Sequence, residues 1–316
     1  MLNDSEYTKW EHFVPRVYLK GFSEIKKKKS KEKSLLWAYN VRAMQQINCQ
    51  VDIEDFCAED NLYELRDEEG KFIARNIIEK VFSRIEAQVG AVIEKIKTKS
   101  QNEKCMVCPC ILSEEDKSIL IILMTMILFR DPKTINLGMK FLKQENPDMD
   151  ERASRNFTLL NLLPLGIIPE WDENTIIREA VTKYSGMEVQ IGIASDDVII
   201  TSDRPVIEWP PKDTELFNRP RAVAFPLTSK LVLYLFPIET DQQIGRSFFF
   251  ELSDEQIKDI QTNVAVCARK WIFSRNALTE EQMERIKEGR SRWENSSLNI
   301  LDMGRPKVEK GNEEIE

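Results

Sequence analysis

The chain has a single histidine, His12, in 316 residues, and it lacks the short motifs of several large enzyme classes. The phosphate-cradling patterns G-x-x-x-x-G-K-[ST] and G-x-G-x-x-G do not occur, and neither does the G-x-S-x-G nucleophile motif. A nucleoside triphosphatase, a Rossmann-type enzyme and an ordinary serine hydrolase are therefore disfavoured. Without a second histidine, any metal site would need carboxylates or thiolates as its other ligands.

Long apolar runs are also missing. The longest, Ile119–Phe129, is shorter than the roughly 18 residues that a membrane span requires. The N-terminus "MLNDSEYTKW" lacks the apolar region of a secretion signal, and the net charge is −8. We expect a cytoplasmic protein that does not bind membranes.

The six cysteines do not indicate a zinc site. Cys105 and Cys108 have zinc-knuckle spacing, but a strong zinc pattern requires a second close pair. The remaining cysteines outside that cluster are Cys49, Cys57 and Cys267, and they form no such pair. We expect neither zinc nor redox chemistry.

Hydrophobic periodicity predicts an α+β fold that is mostly helical, with a small antiparallel β-sheet formed by an N-terminal hairpin and strands within 187–238. We expect one domain over 1–306, with a helical block at about 73–184 and C-terminal helices at about 253–289. The acidic, polar tail 307–316 is expected to be disordered. The predicted hairpin strands are Leu35–Asn40 and Ala43–Cys49, and the later strands are Met187–Ala194, Val198–Trp209 and two within Arg221–Ile238. The predicted helices are Ile73–Lys99, one from the Ser113 cap to Phe129, Pro132–Gln144, Met149–Leu163, Asn174–Tyr184, Ser253–Arg275 and Thr279–Gly289.

His12 begins the stretch "HFVPRVYLKGFS", whose Val14–Pro15 step favours an extended entry before a short helical turn. Tyr18, Leu19 and Phe22 are the predicted anchor of this stretch. His12 is either a general base or metal ligand, or a hydrogen-bonded histidine that holds a packed segment.

Four further residues are candidates for a site. Glu79 and Glu86 are seven residues apart and share a helix face, where they either pair with nearby cations or hold a divalent cation. Arg130 ends the most apolar helix and either complements the helix C-terminus, pairs with Glu79, Glu86 or Asp203, or binds an anion. Asp203 ends an apolar strand and is either a catalytic or metal-binding group, or a turn former that bonds nearby amides.

The lysine run "KKKKSKEK", Lys26–Lys33, is predicted to lie in a loop that precedes the first strands. Such a charge block either contacts phosphate or is simply a solvated loop. It is the candidate contact for nucleic acid.

With these residues in view, the chain resembles a bacterial family of unknown function, the domain of unknown function 4238 family. The resemblance rests on "HFVPRVYLKGFS", "IEKVFSRIEAQV", "FRDPKT", "ITSDRPV" and "FPLTSKLVLYL", in that order, over roughly residues 8–275. It implies a helical domain with a small antiparallel sheet and carries no reaction. It also implies that His12, Glu79, Glu86, Arg130 and Asp203 come together, because they fall within the matching segments.

Two functional hypotheses follow from the sequence. In the first, the protein is a metal-dependent phosphodiester hydrolase, similar to a nuclease. Asp203 with Glu79 or Glu86 would hold a cation such as magnesium or manganese, His12 and Arg130 would act on the phosphate, and the lysine run would steer the polyanion. In the second, it is a non-enzymatic interaction or sensor protein, in which the same residues form a buried network.

Overall fold

A computed structural model describes residues 7–28, 31–102, 111–162, 176–209, 222–238 and 247–295. Within these residues the chain forms a six-stranded sheet, a five-stranded sheet, two strand pairs and several long helices. The predicted mixture of helices and mainly antiparallel strands is confirmed. The prediction of a mostly helical protein with one small sheet overstates the helical share, because the strands build a six-stranded and a five-stranded sheet.

The six-stranded sheet joins segments from both ends of the chain. Its order is β10–β15–β3–β2, with β4 and β5 also pairing with β3, and all of these pairings are antiparallel. The predicted hairpin is confirmed, since Asn40 pairs with Gln45. The strands are β2 (Glu24–Lys28), β3 (Lys31–Asn40), β4 (Gln45–Gln46), β5 (Val51–Asp52), β10 (Thr201–Ser202) and β15 (Trp271–Ser274).

The five-stranded sheet has the order β11–β12–β13–β9–β14. The two strands predicted within Arg221–Ile238 are confirmed as the antiparallel pair β12 and β13, and β14 runs parallel to β9. Its strands are β9 (Met187–Ile193), β11 (Ile207–Trp209), β12 (Ala222–Pro226), β13 (Leu231–Pro237) and β14 (Ser247–Glu251).

The predicted single strand Val198–Trp209 is wrong. It divides into β10 and β11, which belong to different sheets. Asp203 turns its carboxylate and its amide toward the segment at residues 269–271, and Pro205 has no amide hydrogen to continue a strand ladder. The chain therefore leaves one sheet at Ser202 and enters the other at Ile207.

Within the described residues, the helices between 77 and 185 lie within a few residues of their predicted bounds. Ser113 caps its helix in a capping box with Asp116, and Pro132 opens the next helix after the cap residue Asp131. The first long helix begins later than predicted, because Phe72–Ile73 is a strand (β8) paired with Leu65–Arg66 (β7). The helices are α2 (Ile77–Ser100), α3 (Glu114–Arg130), α4 (Pro132–Glu145), α5 (Glu151–Leu162) and α6 (Ile176–Ser185).

The C-terminal region differs from its prediction in one element. Helix α7 (Asp254–Cys267) begins with the expected capping box at Ser253, but it ends at Cys267 rather than Arg275. Ala268 adopts an extended ψ of 132°, and the chain then forms β15. The last helix is α8 (Glu280–Asn295), and the tail 307–316 lies outside the described residues.

Across the described residues, no helix combines the length and apolar character needed to span a bilayer. The most apolar helix, α3, has 17 residues and is buried on most of its faces. This helix packs within the protein, as its all-round apolar sequence predicts.

The N-terminal segment, residues 10–23, lies where these parts meet. Strand β1 (Trp10–His12) pairs with β6 (Ala58–Asp60), and the short helix α1 (Arg16–Leu19) follows Pro15 and leads into a 3₁₀ turn, Lys20–Phe22. The predicted anchor is confirmed, because Tyr18, Leu19 and Phe22 are fully buried. Tyr18 stacks on Phe225 of the five-stranded sheet at 5.0 Å. Its hydroxyl also lies 2.6 Å from the Thr201 hydroxyl of the six-stranded sheet.

Candidate functional site

Arg130 is at the centre of the candidate site, and its side chain is completely buried. Its Nη1 donates to Glu86 Oε1 at 2.7 Å, and its Nη2 donates to the His12 carbonyl oxygen at 2.5 Å. The guanidinium carbon lies 3.8 Å from the centre of the Phe82 ring, which adds a cation–π contact. Arg130 thus links α3 to α2 and to the N-terminal segment.

Glu79 and Glu86 both face Arg130 of α3. The Glu79 carboxylate lies 3.7 Å from Arg130 Nη2, and the two glutamate side chains are 20% and 22% exposed. Burial raises the pKa of Glu79, and the neighbouring Glu86 charge adds to the rise, while Arg130 opposes it. The two carboxylates form one side of a partly shielded ion cluster.

His12 contributes its backbone and its ring to different contacts. Its carbonyl accepts from Arg130, while its ring Nε2 donates to the Glu54 carbonyl at 3.3 Å. Burial, and next the nearby Arg16, lower the pKa of the His12 imidazole to about 4. The ring is therefore neutral at pH 7, and one of its nitrogens already has a partner.

Asp203 bonds to a different part of the molecule. It is buried, and its two carboxylate oxygens accept from the amides of Arg269, Lys270 and Trp271 at 2.8, 2.8 and 3.1 Å. Burial raises the pKa of Asp203, although these amides oppose the rise. These hydrogen bonds hold the loop between α7 and β15. The turn-forming alternative correctly expected bonds to backbone amides, but the amides lie 66 to 68 residues away in the sequence rather than nearby.

A second ion cluster is centred on Asp131, the residue after Arg130. It includes Arg269, whose backbone amide donates to Asp203. Asp131, 4% exposed, caps α4 and lies 3.3 Å from Arg204 and 3.5 Å from Arg269. The Arg269 guanidinium also stacks over the Phe13 ring at 5.3 Å. The sequence analysis did not single out Asp131, and its place in "RDP" next to Arg130 is the only sequence signal for this pairing.

Glu11 is the other residue that sequence reasoning missed. It is fully buried on β1, and Oε2 accepts from the Tyr63 amide at 2.8 Å. Oε1 has no hydrogen-bond partner among the described residues. Burial, together with Glu64 and Glu79, raises the pKa of Glu11 to about 7. The only signal for Glu11 in the sequence is its position next to the candidate residue His12.

The lysine run does not lie in a loop, so that prediction is wrong for its described residues. It forms the β2–β3 hairpin, in which Lys26 faces Lys33 and Lys27 faces Glu32. Like charges directly opposite are unfavourable, and carboxylates offset them here. Lys33 lies 2.6 Å from Asp52, and Lys26 lies 3.1 Å from Glu24. One lysine of the edge strand β2, Lys26, and one lysine of β3, Lys33, are thus already paired with carboxylates.

The residues that could bind a metal are the carboxylates around Arg130. Among the described residues, no group of three or more potential ligands has metal-binding geometry. Cys105 and Cys108 lie outside the described residues, as does the rest of their cluster. Of the five candidate residues, the structure brings His12, Glu79, Glu86 and Arg130 into one cluster and gives Asp203 its own set of partners.

The order of these segments along the chain matches a known family model over residues 11–277, and its description is "Protein of unknown function (DUF4238)". The chain belongs to this family. The match covers the N-terminal segment, the Arg130 cluster and the Asp203 loop, so the DUF4238 region includes every candidate residue. Comparison with curated proteins and with solved structures gave no significant match.

Proposed function

We propose that this DUF4238 protein is a non-enzymatic interaction or sensor protein, in which the candidate residues form a structural network that fixes the N-terminal segment. The observation that carries the proposal is the environment of Arg130. Its side chain is 0% exposed, and its donors contact Glu86 and the His12 carbonyl. A group that stabilises phosphate charge must reach the substrate, and this guanidinium is enclosed.

The other candidate side chains support the same proposal. The neutral His12 ring donates to a backbone carbonyl, and Asp203 accepts three backbone amides. Buried polar groups that are satisfied in this way stabilise one conformation of the chain. We infer that the network positions the N-terminal segment between the helices and the two sheets.

A second candidate function is a metal-dependent phosphodiester hydrolase. One observation favours it: Glu79 and Glu86 remain about one-fifth exposed, and Glu79 Oε2 has no hydrogen-bond partner among the described residues. Carboxylate oxygens suit magnesium or manganese. In this proposal Asp203 would be a further ligand, His12 the base or a ligand, Arg130 would act on the phosphate, and the Lys26–Lys33 hairpin would contact nucleic acid.

Cleavage of DNA and RNA separates the two functions. Wild-type protein and the Glu86→Gln, His12→Gln and Asp203→Asn variants would be incubated with each substrate, with magnesium, with manganese and with a chelator. We expect no metal-dependent cleavage above the protein-free background in any sample.

Metal-dependent cleavage by the wild type that falls at least tenfold in a variant with wild-type thermal stability would overturn the structural proposal and support the hydrolase. An exposed variant, Glu68→Gln, is the matched control, because Glu68 lies in a surface turn away from the cluster. Its activity should equal that of the wild type.

A further inference from the structure

A groove lies between the five-stranded sheet and the two C-terminal helices, away from the Arg130 cluster. Its volume is about 750 Å³, within the range of small-molecule sites. Trp209, Tyr234 and Phe236 line its sheet side, while α7 and α8 supply charged side chains. We call it the aromatic groove.

The aromatic side of the groove follows from strand register. Trp209 pairs with Ala222 on the neighbouring strand. The small side chain of Ala222 leaves space, and the rings of Trp209, Tyr234 and Phe236 line the same groove. Tyr234 and Phe236 are two residues apart on β13, so they share a sheet face. Their rings stack at 5.8 Å with an interplanar angle of 6°. The groove therefore presents several aromatic rings to whatever enters it.

The helical side of the groove carries an excess of negative charge. Five charged residues line the groove within the described part of the chain, and two of them, Arg292 and Glu288, pair at 2.6 Å. Two carboxylates, Glu255 and Asp259, then remain against the ammonium of Lys258. Glu255 and Asp259 are four residues apart on α7, where like charges are unfavourable.

The two sides act on one another across the groove. The Asp259 carboxylate adds to the rise that burial causes in the pKa of the Tyr234 hydroxyl. Burial and the nearby Glu255 in turn raise the pKa of Asp259, while Asn263 and Arg292 oppose that rise. A positive charge placed between them would contact ring faces and relieve the repulsion between the carboxylates.

We propose that the aromatic groove binds a small organic cation, an amine or quaternary ammonium on an apolar body. The rings supply cation–π attraction, and Glu255 and Asp259 supply the opposite charge. The proposal is independent of the role of the Arg130 network, which shares no residue with the groove, so either can fail alone.

Choline and its uncharged carbon isostere 3,3-dimethylbutan-1-ol are suitable probes, because they have nearly the same shape. Saturation-transfer NMR on the full chain would measure both dissociation constants. We expect saturable choline binding that is about threefold to tenfold tighter than that of the isostere, the range given by a partly exposed cation–π contact. Equal affinities, or no saturable binding of choline, would overturn the proposal.

Variants test whether the groove is the site. Phe236→Leu, Asp259→Asn and Glu255→Gln should each weaken choline binding at least threefold, and Ala222→Leu should block the recess. Phe141→Leu, an exposed aromatic on α4, is the control and should bind choline as the wild type does. Glu255 is exposed, and substitutions at exposed positions usually change stability by less than about 0.5 kcal/mol, so this variant keeps the test decisive if a sheet variant unfolds. Unchanged choline affinity in the folded Glu255→Gln and Asp259→Asn variants would contradict the assignment.

Discussion

At the scale of single residues, Arg130 offsets two carboxylates that the fold partly buries. The cost of removing one member of a buried ion cluster is large, because the charges that stay behind lose their partner. Replacing Arg130 by Met keeps much of its volume beside Phe82 but leaves Glu79 and Glu86 unpaired. We expect a loss of about 3–5 kcal/mol in the free energy of unfolding, measured by urea denaturation.

Two further variants assign that loss to charge. The triple variant Arg130→Met, Glu79→Gln, Glu86→Gln should recover at least half of it, because no unpaired charge remains. Arg152→Met removes a surface pair with Asp150 and should change the free energy of unfolding by less than about 1 kcal/mol. A triple variant no more stable than Arg130→Met would mean that packing, not charge, explains the loss.

Glu11 gives a prediction about pH. Its pKa is about 7 in the folded protein against an ordinary 4.5, so the folded state resists its ionisation. The folded protein therefore loses stability as pH rises from 4.5 through 7. Glu11→Gln removes this loss, and the gain in unfolding free energy should be about 2 kcal/mol larger at pH 8 than at pH 5.

Denaturant unfolding at the two pH values would measure the effect of Glu11→Gln. The exposed Glu68→Gln variant should change the stability by less than about 0.5 kcal/mol at either pH. A Glu11→Gln gain that is the same at pH 5 and pH 8 would show that the pKa of the buried carboxyl is not raised above its ordinary value.

At the scale of elements, the turn that follows α1 approaches the β12–β13 hairpin very closely. A Cβ atom on Gly21 would lie 2.5 Å from the backbone carbonyl oxygen of Leu227, and the Gly21 carbonyl accepts from the Ser229 amide at 3.0 Å. Because the obstacle is backbone, Gly21→Ala must displace the turn. We expect a loss of about 1–3 kcal/mol in thermal or denaturant unfolding.

Gly90, in the interior of α2, is the matched control for this substitution. An added Cβ there would lie 3.4 Å from the nearest atom, Val17 Cγ2, and alanine favours the helix by up to about 1 kcal/mol. Gly90→Ala should therefore leave the stability unchanged or raise it. A Gly21→Ala variant as stable as Gly90→Ala would show that the turn is not packed as described.

The elements also show where sequence reasoning succeeds. Ser113, Pro132 and Ser253 act through neighbours within a few residues, so their helix starts were predictable. The end of α7 at Cys267 was not, because β15 forms only when Trp271–Ser274 pairs with β3, more than 200 residues earlier. The division of the predicted strand Val198–Trp209 between two sheets has the same cause, because it depends on pairing with strands that are distant in the sequence.

At the scale of the whole molecule, the candidate site was predictable in its membership but not in its arrangement. The pairing of Arg130 with Glu79 and Glu86 could be anticipated, since a buried arginine needs partners. The partners of Asp203 could not be predicted, because they are backbone amides. Almost every residue has a backbone amide, so nothing in the sequence distinguishes those of residues 269–271. Glu11 was overlooked for a similar reason: burial raises its pKa, and burial belongs to the assembled fold.

The central claim is that Arg130 holds the N-terminal segment against the rest of the protein. Native-state hydrogen exchange of the amides in residues 10–23 tests it most directly, with Arg130→Met compared with wild type and with Arg152→Met. The amides of Phe13, Tyr18 and Leu19 donate to backbone carbonyls, so their exchange reports the docking of the segment. In Arg130→Met, the exchange of these amides should accelerate over wild type by a factor at least ten times that of the α7 amides. In Arg152→Met their exchange should be unchanged. Equal acceleration across the whole chain, or none in residues 10–23, would contradict it.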